Sequence, residues 1–162
     1  MVQLINHGAV TLQDLPSLLM RYSPHVIHFS GHSSATGIEL IGNNGLGSEV
    51  PPGTLAEIVR ILKDDVSLVV LNTCNSATQA EEIVKEIDCA IGMNDTIRDD
   101  AAVAFSAAFY EALGYGRSIQ VAFDLAIVQM TGVGADKSLA KLYKRPSVKP
   151  EEITLVAPPD PR

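Results

Sequence analysis

The chain has no tryptophan and only two cysteines, and aromatic residues make up 5% of it. Two cysteines, Cys74 and Cys89, cannot build a disulfide framework. That scarcity suits a reducing compartment, so the expected location is the cytoplasm. Basic residues are also few: 12 Lys and Arg against 19 Asp and Glu leave a net charge of −7. A surface of that sign repels phosphate backbones and argues against nucleic acid as a partner. No apolar run approaches the roughly 18–20 residues of a membrane-spanning helix, so no membrane association is expected. The first residues carry neither the basic region nor the long apolar region of a secretory leader, and none is expected. Metal-site spacings such as C-x-x-C and H-E-x-x-H do not occur, and the glycines at 42, 45 and 47 lack the Lys-Ser/Thr of a phosphate loop. Neither a metal nor a cofactor is expected.

What is present is enough for one domain. The length is 162 residues and 46% are hydrophobic. A chain of this size buries about 70% of the surface its unfolded form exposes, so it needs no covalent staple. There is no internal repeat. Five of the nine prolines fall at 146, 150, 158, 159 and 161. The expected organisation is one domain over residues 1–157, with 158–162 as a frayed tail or linker.

Apolar patterning alternates between strand and helix. Residues 2–5 form a short apolar run that reads as a strand. Thr11 suits the N-cap of a helix to about Tyr22, with Leu15, Leu18 and Leu19 on one face. Residues 25–30 read as a strand broken by Gly31. Residues 37–41 and 46–50 flank Gly42-Asn43-Asn44-Gly45, a hairpin signature. Thr54 opens a helix to about Lys63, with Ile58, Ile61 and Leu62 turned inward. Residues 66–71 are almost continuously apolar, as in a strand covered on both faces. A helix over about 77–86 and a strand over 89–92 follow. Asp99 or Asp100 caps a helix to about Leu113, striped by Ala102, Phe105, Phe109 and Leu113. Another helix covers about 118–130, where Val121, Leu125 and Val128 recur. Residues 153–156 read as a closing strand. This alternation predicts an α/β layered domain around a mostly parallel sheet, with ligand sites beyond the carboxyl ends of the strands.

Two strand ends carry reactive groups, His28-Phe29-Ser30-Gly31-His32-Ser33 and Leu71-Asn72-Thr73-Cys74-Asn75-Ser76. If the two strands are neighbours, His32 and Cys74 share one crevice. A thiol must become a thiolate to attack a carbonyl, and an adjacent imidazole can take its proton. Backbone N–H groups of Gly31 and Cys74 would then serve as an oxyanion hole. On the residues alone a plainer reading stays open, since a strand-end cysteine is commonly a small hydrophobe and a loop histidine commonly a surface residue. His28 is expected to pack inside the sheet as a neutral, hydrogen-bonded group, and Cys89 to be core.

The segments His25-Val26-Ile27-His28-Phe29-Ser30-Gly31-His32 and Leu68-Val69-Val70-Leu71-Asn72-Thr73-Cys74-Asn75-Ser76-Ala77 resemble those of CHAT domains, caspase-like cysteine peptidases related to caspases, separases, metacaspases and gingipains. Ile91-Gly92-Met93-Asn94, the run from Asp99 to Phe105, and the run from Gly116 to Ala126 resemble the family's later strand and helices. The resemblance runs from about Leu4 to about Val128. It implies a three-layer caspase-like fold, with a mostly parallel central sheet flanked by helices, here lacking the usual first strand. It also implies a cysteine endopeptidase in which His32 is the general base and Cys74 the nucleophile, with Gly31 and Cys74 as backbone oxyanion donors and a protein or peptide as substrate. A regulatory module or partner outside this chain is a further implication.

Substrate preference would rest on charge. Relatives that cut after Arg or Lys place a carboxylate in the pocket, since an ion pair gains strength in a partly dry site. The metacaspase-like acid position, two before the nucleophile, is Asn72 here. The separase-like acid lies in the loop after the next strand, where Asp95 and Asp99 stand; Asp99 equally suits a helix N-cap. Relatives often follow the catalytic His with Gly, where this chain has Ser33. Two other classes remain in view: a catalytically inactive or latent caspase-like interaction or adaptor domain, and a small-molecule hydrolase or acyltransferase using the same thiol.

Overall fold

The computed structural model describes residues 2–34, 38–42 and 44–159. Its centre is a four-stranded sheet of order β1-β4-β5-β6, formed by Val26–Ser30 (β1), Leu68–Asn72 (β4), Cys89–Met93 (β5) and Ala140–Lys144 (β6). β1, β4 and β5 run parallel, and β6 pairs antiparallel with β5. β4 and β5 occupy the middle, and every residue of both is buried. The apolar run Leu68–Leu71 in β4, and Cys89, Ala90, Ile91 and Met93 in β5, follow from that position, since helices cover both faces. Each such Leu, Ile or Val side chain contributes about 1.5–3 kcal/mol by leaving water.

Side chains alternate across the strands and divide the core in two. Leu68, Val70, Ile91 and Met93 face one layer with Phe105, Phe109 and Met130, from helices α4 (Asp99–Gly114) and α5 (Ile119–Gly132). Val69, Leu71 and Ala90 face the other layer with Leu15 and Leu19, Leu55 and Val59, and Ala80 and Ile83. Those pairs come from helices α1 (Asp14–Tyr22), α2 (Pro52–Ile61) and α3 (Ala77–Ile83). The result is the expected three-layer α/β architecture. A separate hairpin, Glu39–Ile41 (β2) with Gly47–Glu49 (β3), turns through Gly45 at φ +77°. Two residues of its expected extent, Gly37 and Asn43, lie outside the described residues.

Thr11 and Asp14 form a reciprocal pair at the start of α1. The Asp14 N–H donates to Thr11 Oγ1 at 3.2 Å, and Asp14 Oδ2 accepts the Thr11 N–H at 3.0 Å and its hydroxyl at 2.7 Å. This is capping-box logic with Asp in place of Glu. Ser118 caps α5 by accepting the Val121 N–H at 3.3 Å.

Several expected elements differ. Residues 2–5 form no strand, and Leu4 is 91% exposed. The expected closing strand at 153–156 is reduced to one bridge between Thr154 and Ser118, after a short 3-10 turn at Pro150–Glu152. The strand that does close the sheet is β6. α2 begins at Pro52, ahead of Thr54, because proline is tolerated at a first helical position. Ile61 of α2 is 62% exposed, while Leu55, Ala56 and Val59 turn inward. Asp99 and Asp100 lie inside the first turn of α4, where Arg98 holds the N-cap position without a side-chain cap bond. Val121, Leu125 and Val128 form an outward stripe, while Ala122, Ala126 and Met130 pack inward. At the expected tail, Pro158 packs on Gly116, where an added Cβ would lie 2.6 Å from the proline Cα. Residues 160–162 lie outside the described residues.

Candidate active site

β1 and β4 are neighbours and stay in register to their ends, where Ser30 stands opposite Asn72. His32 and Cys74 each lie two residues beyond that pair, at the same end of the sheet. The chain leaves β1 through Gly31 at φ +152°, where L residues are strained; a Cβ there would meet nothing within 4 Å, so the space above Gly31 is open. It leaves β4 through Thr73 and Cys74 into Asn75 at φ +52°, a left-handed conformation that asparagine tolerates. His32 is exposed and Cys74 is half-buried.

Three loops meet at Cys74. From the β1 side, the Ser33 hydroxyl donates to the Cys74 carbonyl at 2.5 Å. From the β5 side, the Ile97 N–H donates to Cys74 Sγ at 3.4 Å, and Sγ lies 3.9 Å from the Ile97 carbonyl. The Asn75 N–H donates to the Asp95 carbonyl at 3.3 Å. The sulfur therefore carries a donor from a main-chain amide, on a residue that is half-buried.

Two residues behind the turn fix it. Buried Ser76 donates from Oγ to the carbonyls of Leu71 and Thr73, at 2.8 and 2.9 Å, and accepts the Met93 N–H at 3.0 Å. Gly92 lets α3 rest on β5: a Cβ would stand 2.8 Å from the Ala80 Cβ and 2.9 Å from the Ala77 Cα. Neither was singled out from the sequence. A serine just before a helix reads as an ordinary N-cap, and a glycine inside an apolar strand shows its role only once the opposing helix is in place.

The residues expected at the substrate pocket separate. Asn72 lies on the α4 side of β4 and is 6% exposed; its Nδ2 donates to the Ala102 carbonyl at 2.9 Å and to Ser106 Oγ at 2.7 Å. Its Oδ1 is buried without a partner. Strand alternation explains this, because Asn72 shares its face with Leu68 and Val70 and so points under α4. Asp95 is exposed in the loop after β5, and its Oδ1 accepts the Thr96 N–H at 2.7 Å. It lines a cavity of about 430 Å³ with Asn94, Arg98, Asp136 and Ser138, between that loop and the chain leading to β6. Asp99 is exposed on the first turn of α4. A larger cavity, about 820 Å³, runs along the outer faces of α4 and α5 and contains none of these residues.

The other candidates are occupied. His28 does not pack inside the sheet: it is exposed on the edge strand β1, its Nδ1 lies 2.7 Å from the Tyr110 hydroxyl, and desolvation lowers its pKa. Tyr110 is pushed upward by burial, so its hydroxyl keeps its proton at neutral pH. Cys89 is wholly buried, and burial, aided by Asp88, pushes its thiol up to about 12. It is a core residue with no reactive form at neutral pH.

With this geometry in place, one comparison decides the family: a model described as the CHAT domain matches residues 2–148. The chain belongs to the CHAT-domain family. Over 127 residues this CHAT domain is 28% identical to a probable protease of Gillisia limnaea, covering 74% of this chain and 22% of that protein. Over 118 residues it is 26% identical to a Roc-COR-CHAT protease of an unknown prokaryotic organism, covering 68% of this chain and 11% of that protein. It is also similar to a solved structure, a secreted C11 cysteine protease from Bacteroides thetaiotaomicron in complex with an irreversible peptide inhibitor. The identity there is 12% and the TM-score 0.46, over 78% of this chain and 41% of that one. The CHAT domain thus spans a minor part of the length of the relatives it matches.

Proposed function

We propose that this CHAT domain is a caspase-like cysteine endopeptidase in which Cys74 and His32 form the catalytic pair. The observation that carries this reading is the register of β1 and β4, by which both residues follow the last strand pair by two positions at the same sheet end. In the proposed cycle, His32 takes the proton of Cys74, and Sγ attacks the scissile carbonyl carbon. The carbonyl π pair moves to oxygen, which rests on the N–H groups of Gly31 and Cys74. Collapse breaks the C–N bond as His32 passes its proton to the leaving amine. His32 then deprotonates a water that attacks the thioester, releasing the acid and returning the thiol. The peptide lies extended across the strand ends. The exposed carboxylates of Asp95 and Asp99 favour a basic side chain before the cut.

The test compares Cys74→Ala and His32→Ala with the parent on peptides ending in Arg, Lys or Asp before a fluorogenic amide. Each variant is expected to lose about three orders of magnitude or more in rate, with cleavage after Arg or Lys exceeding that after Asp. Full activity in Cys74→Ala ends the proposal. A latent domain is the second reading, favoured by the contacts of the Ile97 backbone with the sulfur. Labelling of Cys74 by a peptidyl electrophile in the folded chain separates the two, since a latent site leaves the sulfur unlabelled.

A further inference from the structure

We propose that Ser33 is a positioning residue whose hydroxyl, on the carbonyl of Cys74, locks the general-base loop to the nucleophile turn. The inference rests on the reading of Cys74 and His32 as the reacting pair. Its basis is a closed circuit of contacts. The Ser33 hydroxyl reaches across two strand ends to the Cys74 carbonyl at 2.5 Å, the short end of the O–H···O range. On its other side Ser33 pairs with Ile38 in an isolated antiparallel bridge, and the His32 carbonyl accepts the Glu39 N–H at 3.3 Å. The Ile38 N–H donates in turn to Oε1 of buried Gln79 at 3.2 Å, and Gln79 Nε2 donates to the Val50 carbonyl at 3.2 Å. Gln79 stands in the first turn of α3, the helix that follows the Cys74 turn. Running from Cys74 into α3, to Gln79, to Ile38, to Ser33 and back to Cys74, the ring is closed by one hydroxyl.

The same peptide is held at its other end. The Cys74 carbonyl and the Asn75 N–H belong to one planar unit, so Ser33 and the Asp95 carbonyl grip it from opposite sides. That plane sets the direction in which the turn presents Sγ, and Asn75 holds it in a left-handed conformation that costs energy unless its surroundings impose it. Without the hydroxyl, the His32 loop keeps its bonds to the hairpin and loses the Ser33 bond to the nucleophile turn. The effect falls on the relative placement of imidazole and sulfur, with the fold left standing.

Iodoacetamide is the probe, because its reaction with Cys74 reads the thiol and its base without any choice of peptide. Ser33→Ala is expected to slow Cys74 alkylation on the order of tenfold, as a sub-ångström misplacement would. Ser33→Thr, which restores the hydroxyl, is expected to recover the parent rate within about twofold. Intact-mass and peptide mapping confirm the site, with Cys89 unlabelled in the folded protein. A parent rate in Ser33→Ala, or failure of Ser33→Thr to recover it, overturns the proposal. If Ser33→Ala does not fold, the comparison passes to Ser33→Thr against Ser33→Val, equal in size and differing in the hydroxyl; equal rates overturn the proposal there too. A His32→Ala variant that alkylates as fast as the parent removes the catalytic pair itself, a result distinct from failure of Ser33 alone.

Discussion

Ser76 binds three main-chain groups at once, one of them a buried donor. Its Oγ accepts the Met93 N–H at the end of β5 while holding two carbonyls of the β4 turn. Ser76→Ala leaves that buried N–H unpaired, and the cost of such a group is about 1–3 kcal/mol. Equilibrium denaturation in urea is expected to show a loss of that size, and an unchanged midpoint refutes it. Gly92→Ala is expected to lose about 1–3 kcal/mol by overpacking against Ala77 and Ala80. At this scale the sequence was only partly readable. Cys74 and His32 stand out by type and position. The Ser33–Cys74 bond and the Ile97 contact join residues separated by 41 and 23 positions, and no local pattern encodes them. Asn72 stands two before Cys74 and by that count belongs at the pocket, whereas the side to which it turns depends on which face of the strand α4 covers.

Elements were legible in proportion to their burial. β4 and β5 are covered on both faces, so their apolar runs announce them. β6 escaped because it is a short edge strand in which exposed Lys141 and Lys144 flank half-buried Leu142 and Tyr143, so neither an apolar run nor an alternation marks it. Residues 2–5 and 153–156 failed in the opposite sense: they have strand composition, but the first forms no strand and the second pairs only through the single bridge of Thr154 to Ser118. α5 shows the limit of periodicity. Its apolar residues go almost all the way round, so spacing alone does not say which stripe faces the sheet, and the inward one is built mainly of Ala122, Ala126 and Met130. This predicts a contrast between two large side chains. Phe109→Ala, in the centre of the α4 layer, should cost about 3–5 kcal/mol. Leu125→Gln, on the outward stripe, should stay within about 0.5 kcal/mol. Urea midpoints of both variants measure the difference, and a comparable loss in Leu125→Gln would contradict the outward assignment.

The domain as a whole is tied across its layers by a titrating group. His28 on β1 meets Tyr110 on α4, and burial favours the neutral ring. As pH falls below about 6.5, the unfolded chain takes up this proton before the folded one does. The contribution of His28 is therefore full above that value, declines below it, and levels once the folded histidine has also titrated. His28→Gln should remove this component, seen as a flatter dependence of the urea midpoint between pH 7.5 and 5. A parent and variant with parallel profiles would rule it out.

The shared length of β1 and β4 also constrains how such a protein can change. Replacing a side chain in either strand alters packing at one position and leaves the frame intact. Losing or gaining a single residue before His32 or Cys74 shifts one end of the ladder by a step and turns the following side chains to the opposite face. Substitution is thus the permitted currency of divergence along these strands, while insertion and deletion are confined to the connections between them.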